Sequence, residues 1–141
     1  MNYDSIKIGY EIGIKEIVTD EMVREFARIT GDYNKVHLDE AYAKNTVFKN
    51  RIAHGFLYGS FISTVLGTKF PGEGTIYQYQ DMKFLLPVYI NDQLEIKVSV
   101  SEKLKKNGLK LKTEIRNQHD DLVLDGVAIV SVPKDWEIMK K

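Results

Sequence analysis

The spacing of apolar residues follows a helical period in the first half of the chain. Residues 19–31 predict a helix, with Thr19 as its N-cap and Gly31 as its end. A second short helix is predicted at 39–44, and residues 45–51 are predicted as a loop. Residues 1–18 alternate weakly between apolar and polar positions, which predicts a single edge strand.

The segment from Ile52 to Leu66 is the most apolar helix candidate in the chain. Glycine, serine and threonine fill the gaps between large apolar side chains, which cover most of the helix circumference: Phe56, Leu57, Tyr58, Phe61, Ile62, Val65 and Leu66. A helix that is apolar on all sides is buried on all sides. We therefore expect this helix to be the axis of the fold, enclosed by the rest of the chain.

After a turn-rich break at residues 70–74, the apolar period becomes alternating. Strands are predicted at 76–80, 82–85, 94–100, 109–115 and 122–132. The connections at 91–92, 106–108 and 118–121 have the composition of hairpin turns. Helices followed by strands indicate the α+β class, with one antiparallel sheet curled around one buried helix. The end around Trp136 is expected to be a short tail.

Composition narrows the classes of function. The 141 residues fit one domain spanning 1–141, and the 20 basic and 20 acidic side chains leave no basic stripe for a nucleic acid. The absence of cysteine excludes disulfides, thiolate metal sites and a cysteine nucleophile. No apolar run approaches the roughly 18 residues of a membrane span. The N-terminus lacks the pattern of a signal peptide, so we expect a cytoplasmic protein.

The candidate chemistry lies next to the apolar helix. Asp32 and His37 are five residues apart in a segment predicted as a loop, and a carboxylate with an imidazole can act as an acid/base pair. Gly55 stands at the predicted start of the helix. The backbone N–H groups there lack helical partners and lie at the positive end of the helix dipole. Such an N–H can stabilise developing negative charge, and glycine allows close approach.

These residues lie in motifs that resemble the R-specific enoyl-CoA hydratases, also called MaoC-like dehydratases. The stretch FARITGDYNKVH at 26–37 is similar to their signature, as are IAHGFL at 52–57, PGEGTIY at 71–77 and FLLPVY at 84–89. The resemblance extends over residues 18–132. It implies a hot-dog fold, in which an antiparallel sheet wraps a long central helix, in a homodimer that acts on acyl-CoA without a cofactor.

The resemblance also implies the reaction, the reversible hydration of trans-2-enoyl-CoA to (R)-3-hydroxyacyl-CoA in fatty-acid or polyhydroxyalkanoate metabolism. We expect His37 to accept a proton from water, and Asp32 to orient that water and return a proton to C2, although the two can share these roles differently. Addition from one side gives syn stereochemistry. The Gly55 N–H is expected to bind the thioester oxygen.

Three further residues are candidates for supporting roles. Asn34 is expected to order the loop or to orient Asp32. Ser63, two helical turns past Gly55, is either a hydrogen-bond partner of a catalytic side chain or an ordinary small helix residue bonded to the i−4 carbonyl. For His54 the two readings are even: it packs or caps the helix start, or it lines the acyl-CoA site.

Two other functions remain open. A hot-dog thioesterase usually has a carboxylate on its central helix, and residues 56–66 contain none. A non-catalytic acyl-CoA-binding module is suggested only by Lys35, which stands where the resembled family usually has proline. A metal site formed by Asp32, His37 and His54 is not expected, because no histidine pair at i, i+4 and no cysteine accompanies them.

Overall fold

The computed structural model describes residues 2–132, and the expected tail around Trp136 lies outside them. A short 3₁₀ helix (Tyr3–Ser5) is followed by the α-helices α1 (Asp20–Thr30), α2 (Lys35–Leu38), α3 (Glu40–Lys44) and α4 (Gly55–Thr64). A π-helical turn (Val65–Lys69) extends α4. Strands are β1 (Glu11–Ile17), β2 (Ile76–Gln80), β3 (Lys83–Phe84), β4 (Gln93–Leu104), β5 (Gly108–Arg116) and β6 (Leu122–Ser131). None of these helices has the length and apolar character to cross a bilayer.

The strands form one antiparallel sheet. Its order is β1-β4-β5-β6-β2, and β3 also pairs with β6. The hairpin between β4 and β5 is confirmed, because Lys106 and Asn107 have the φ values of 59° and 55° that a type I′ turn needs. The hairpin predicted at 91–92 is wrong: β3 and β4 do not pair, and the N–H of Asn91 donates instead to the carbonyl of Val18 at 2.6 Å.

The core lies between α4 and one face of the sheet. Alternate residues of β4 and β5, such as Ile96, Val98 and Leu111, are fully buried and belong to the same apolar cluster as Ile62 of α4 and Val65 of the following π-helical turn. Burying each such side chain contributes about 1.5–3 kcal/mol to folding. The structure therefore confirms the α+β class and the packing of an antiparallel sheet on a central helix.

One prediction about α4 is wrong for the single chain. The sheet covers only part of the helix, and Phe56, Ser60, Ser63 and Thr64 remain exposed, with Phe56 66% accessible. Their spacing places them along one side of the helix. We call these four residues the outer stripe of α4. The buried side of the helix contains Leu57, Tyr58 and Ile62. The segment therefore has a buried face in the core and a second, exposed face.

The helices before α4 follow the predicted caps. The Thr19 hydroxyl accepts the N–H of Met22 at 3.1 Å, and Gly31 ends α1 with a φ of 80°. The predicted loop at 32–37 is only partly correct, because residues 35–38 form a one-turn helix. Asn34 explains the difference: its side chain caps α2 by accepting the N–H of Val36 at 3.2 Å.

Candidate active site

The fold brings three sequence-predicted residues together. Asp32 lies in the turn between α1 and α2, His37 lies on α2, and His54 directly precedes α4. One carboxylate oxygen of Asp32 and one ring nitrogen from each histidine all lie within 4.8 Å of one another. A carboxylate and an imidazole at this separation can hold one water between them.

The hydrogen bonding of His37 fixes which nitrogen is available for chemistry. Its Nδ1 lies 2.7 Å from the carbonyl oxygen of Ile52, which can only accept, so Nδ1 carries the proton. The lone pair of Nε2 is then free to accept a proton. Burial lowers the pKa of His37 below its ordinary value of 6.5. The proximity of His54 and Arg51 lowers this pKa further, while the Ile52 carbonyl and Asp32 oppose the shift.

The segment that carries Asp32 is ordered by short-range hydrogen bonds. The Asp32 carboxylate accepts the N–H of Asn34 at 3.2 Å, and its own N–H donates to the Thr30 hydroxyl at 3.2 Å. The Asn34 side chain caps α2 by accepting the N–H of Val36. These bonds leave the Asp32 side chain exposed to an incoming ligand.

Arg51 is a site residue that the sequence reasoning missed. Its side chain is only 10% exposed, and its Nε donates to the carbonyl of His37 at 2.7 Å. Its Nη2 donates to the Asp20 carboxylate at 2.6 Å. Arg51 therefore links the start of α1 to the backbone of the candidate base. In the sequence it lies in a polar loop, where a buried arginine cannot be told from a solvated one.

Gly55 begins α4 with a backbone N–H that is free for a ligand. Within residues 2–132 no hydrogen bond uses this N–H, whereas the N–H of Leu57 donates to the His54 carbonyl at 3.0 Å. A Cβ added to Gly55 would lie 2.6 Å from Cε1 of Phe84. A side chain at position 55 would therefore displace the Phe84 ring, and glycine lets the ring and the helix start pack closely at the groove.

His37 and Gly55 line the same groove, whose volume is about 490 Å³. Its other lining residues are mostly apolar and include Phe48, Ile52, Phe56, Tyr58, Phe84 and Leu86. Burial raises the pKa of Tyr58 to about 12, so its hydroxyl remains protonated. An apolar groove with a few polar groups suits an acyl chain that carries one reacting carbonyl.

The sequence left two alternative roles open for Ser63 and for His54, and their positions in the structure bear on both. Ser63 lies on the outer stripe of α4, and within the described residues the side chains of Asp32 and His37 bond to Asn34 and Ile52 instead. His54 is 3% exposed and its side chain does not cap α4. Of the two readings of His54, packing at the helix start agrees with the structure, where the ring lies against Phe26 and His37, and His54 does not line the groove.

The two histidine rings are stacked in a way that disfavours a shared metal ion. Their centroids are 3.8 Å apart and their planes differ by 28°. An imidazole lone pair lies in the ring plane, so two nearly parallel rings do not direct their nitrogens at one ion. The cluster suits proton transfer better than tetrahedral coordination.

Comparisons with known proteins agree with this geometry. The family model described as "MaoC like domain" matches residues 6–122. The chain is 43% identical to the 3-hydroxybutyryl-CoA dehydratase of Methylorubrum extorquens, over 96% of this chain and 86% of that protein. It is 34% identical to the (R)-specific enoyl-CoA hydratase of Aeromonas caviae, over 94% of this chain and 100% of that protein. The unliganded R-hydratase PhaJ1 of Pseudomonas aeruginosa superposes with a TM-score of 0.90 at 40% identity, covering 94% of this chain and 86% of that one.

Proposed function

The chain belongs to the MaoC-like domain family, and on this basis we propose that it is an (R)-specific enoyl-CoA hydratase. It adds water to trans-2-enoyl-CoA to give (R)-3-hydroxyacyl-CoA, and it catalyses the reverse dehydration. The observation that carries the proposal is the placement of Asp32 beside His37, whose Nε2 is free, at a groove that also contains Gly55. The names of the relatives support the same reaction.

The proposed mechanism uses the protonation state of His37. A water held between His37 and Asp32 gives a proton to Nε2 of His37 as its oxygen bonds to C3 of the enoyl group. Asp32 orients the water. The proton that His37 took up is then passed through the Asp32 carboxylate to C2, so one water is consumed and both side chains return to their starting protonation states. General acid–base steps of this kind contribute about 10²–10⁴-fold each.

The thioester oxygen gains negative charge while C3 is attacked. We propose that the Gly55 N–H donates to this oxygen, because it lies at the positive end of α4 and has no partner within residues 2–132. The loss of one such donor costs enzymes about 10²–10³-fold in turnover. In this proposal Asn34 orders the Asp32 segment through its cap on α2.

We also propose that the enzyme is a homodimer. β2 is an edge strand whose Ile76, Tyr77 and Tyr79 are exposed, and the outer stripe of α4 adds exposed Phe56. Apolar surface and an unpaired strand edge favour association with a second copy. Ser63 lies on the outer stripe, so we assign its hydroxyl a contact with substrate in the dimer. Light scattering during gel filtration tests the dimer, and a monomer at assay concentration would contradict it.

The test of the activity follows the absorbance of the conjugated thioester with crotonyl-CoA. A coupled dehydrogenase specific for (R)- or (S)-3-hydroxyacyl-CoA reports the hand of the product. Loss of absorbance with only the R product supports the proposal. Release of free CoA from a saturated acyl-CoA would indicate a thioesterase instead, and thermal stabilisation by CoA thioesters without turnover would indicate a binding module.

From the proposed substrate class we also propose a compartment and a metabolic setting. CoA thioesters are large charged molecules that are kept within the cell, so a cytoplasmic location suits this enzyme. Its (R)-3-hydroxyacyl product is chemically suited to fatty-acid metabolism or to polyester synthesis.

A further inference from the structure

His54 contacts both members of the catalytic pair without lining the groove. Its Nε2 lies 3.0 Å from the carbonyl oxygen of Asp32, and its ring stacks on that of His37. The ring of Phe26 on α1 also packs against it, with centroids 4.9 Å apart. We propose that His54 is a positioning residue that holds Asp32 and His37 in their relative positions, an inference that rests on the proposed function.

The hydrogen bonding of His54 defines its tautomer. The Asp32 carbonyl can only accept, so His54 must donate from Nε2. The other ring nitrogen, Nδ1, is fully buried and has no hydrogen-bond partner within residues 2–132. A proton on Nδ1 would therefore be a buried donor without an acceptor, which is unfavourable. In this arrangement His54 donates one hydrogen bond and takes no proton from water.

The bond from His54 matters because the Asp32 segment has few long-range ties. The other hydrogen bonds of residues 32–34 in the described chain join them to neighbours between residues 30 and 37. His54 is 22 residues away and directly precedes α4, which carries the Gly55 N–H. One donated bond thus ties the backbone that carries the Asp32 carboxylate to the segment that holds both the stacked His37 ring and the Gly55 N–H.

Two substitutions separate this role from the alternatives. His54→Gln places an amide N–H where Nε2 lies and keeps a planar group against His37. His54→Phe keeps the aromatic stack and the volume but removes the donor. We expect His54→Gln to keep turnover within about fivefold, because the bond to Asp32 is remade. We expect His54→Phe to lower kcat about 10- to 100-fold with KM little changed, because the carboxylate is misplaced.

The other outcomes overturn the proposal. If both variants are as inactive as His37→Ala, His54 is itself an acid or base. If His54→Phe equals or exceeds His54→Gln, or both match the wild type, the ring serves packing alone. Far-ultraviolet circular dichroism confirms that each variant is folded before its kinetics are interpreted.

A second measurement uses the wild-type protein and depends neither on enzyme activity nor on the folding of a variant. Long-range ¹H–¹⁵N correlation spectra of the histidine-labelled wild type report the tautomer of each ring at neutral pH. We expect the Nε2–H form for His54 and the Nδ1–H form for His37, with exposed His119 as the third signal. A proton on Nδ1 of His54 overturns the proposal. An inactive wild type with the expected tautomers would instead count against the proposed function.

Discussion

At the scale of single residues, the environment of His37 determines when it can act as a base. The ring is 8% exposed, its Nδ1 proton is held by the Ile52 carbonyl, and burial lowers its pKa. The ionisable side chains that act on it are His54, Arg51 and Asp32. A lowered pKa means that His37 stays neutral to a more acidic pH than an ordinary histidine.

This predicts the acidic limb of the pH profile. A general base acts in its neutral form, so activity is lost as pH falls through the pKa of His37. Because that pKa is below 6.5, we expect kcat/KM for hydration to reach half of its maximum on the acidic limb below pH 6.5. Initial rates with crotonyl-CoA across pH check this. A half-maximal rate above pH 6.5 would show that another group controls the limb.

Lys35 is the residue that departs from the resembled signature, and its position explains why the departure is tolerated. It is the first residue of α2, where proline is favoured, and its N–H has no hydrogen-bond partner within residues 2–132. The preceding Asn34 has φ −53° and ψ 126°, which a residue before proline readily adopts. The Asn34 cap therefore supplies order that proline would otherwise provide.

We predict that Lys35→Pro raises the free energy of unfolding by about 0.4–1 kcal/mol through a stiffer unfolded chain. Turnover should be unchanged, because the native backbone already has the required shape. Thermal unfolding and steady-state kinetics with crotonyl-CoA measure the two effects. A large gain in kcat would instead mean that the flexibility of this segment limits the natural enzyme.

At the scale of elements, Arg51 connects α1, α2 and the loop before α4. It donates to the His37 carbonyl and to Asp20, which also pairs with Arg24 at 2.9 Å. Arg24 offers a matched control because its side chain is 56% exposed and its ion pair does not reach α2. The two arginines share one carboxylate, yet only Arg51 contacts the candidate base.

We predict that Arg51→Met destabilises the fold by about 1–3 kcal/mol, since it leaves a buried carbonyl without its donor. It should also lower kcat about 10-fold or more by shifting α2. Arg24→Met should change stability by less than about 1 kcal/mol, as expected for an exposed ion pair. Urea unfolding and steady-state kinetics of both variants test this. Equal losses of stability and of kcat in Arg51→Met and Arg24→Met would show that Arg51 does not act through His37.

The connection between β2 and β3 depends on close backbone contact with β6. Asp81 accepts the N–H of Val127 at 2.9 Å through its carboxylate, and its own N–H donates to the Val127 carbonyl at 3.0 Å. A Cβ added to Gly126 would lie 2.1 Å from the Asp81 carbonyl oxygen. This contact fixes the strand pair that carries Phe84 over Gly55.

Gly126→Ala should therefore destabilise the protein by about 1–3 kcal/mol, because two backbone segments must separate to admit a methyl group. Urea denaturation measures the loss. Because Phe84 moves with β3, we also expect a raised KM for crotonyl-CoA. A fully stable variant would mean that the β2–β3 connection adapts without strain.

How far the elements could be predicted depends on whether their signals are local. The cap at Thr19, the turn at 106–108 and the alternation in β4 are local signals, and each was predicted correctly. The hairpin at 91–92 was wrong because pairing of β4 with β1 is decided by the whole sheet. The outer stripe of α4 was missed because apolar composition alone does not separate core from an exposed apolar face.

At the scale of the whole molecule, the site is assembled from segments far apart in sequence. Residues 32–37, residues 51–55 and β3 meet only because β3 pairs with β6 and α4 packs on the sheet. The sequence spacing of Asp32 and His37 predicted their proximity. It contained no signal for the Arg51 link, for the stack of His54 on His37 or for Phe84 above Gly55, since these contacts arise from tertiary packing.

Asp32 and His37 are expected to act together in the hydration of an enoyl thioester. The most direct measurement compares the wild type with Asp32→Asn, His37→Ala and the control His119→Ala, whose ring lies in the exposed β5–β6 turn. The rate of absorbance loss with crotonyl-CoA should fall by at least about 10²-fold in the first two variants, with their fold intact, and stay unchanged in the control. Near wild-type turnover in Asp32→Asn or His37→Ala would show that this pair does not carry out the hydration.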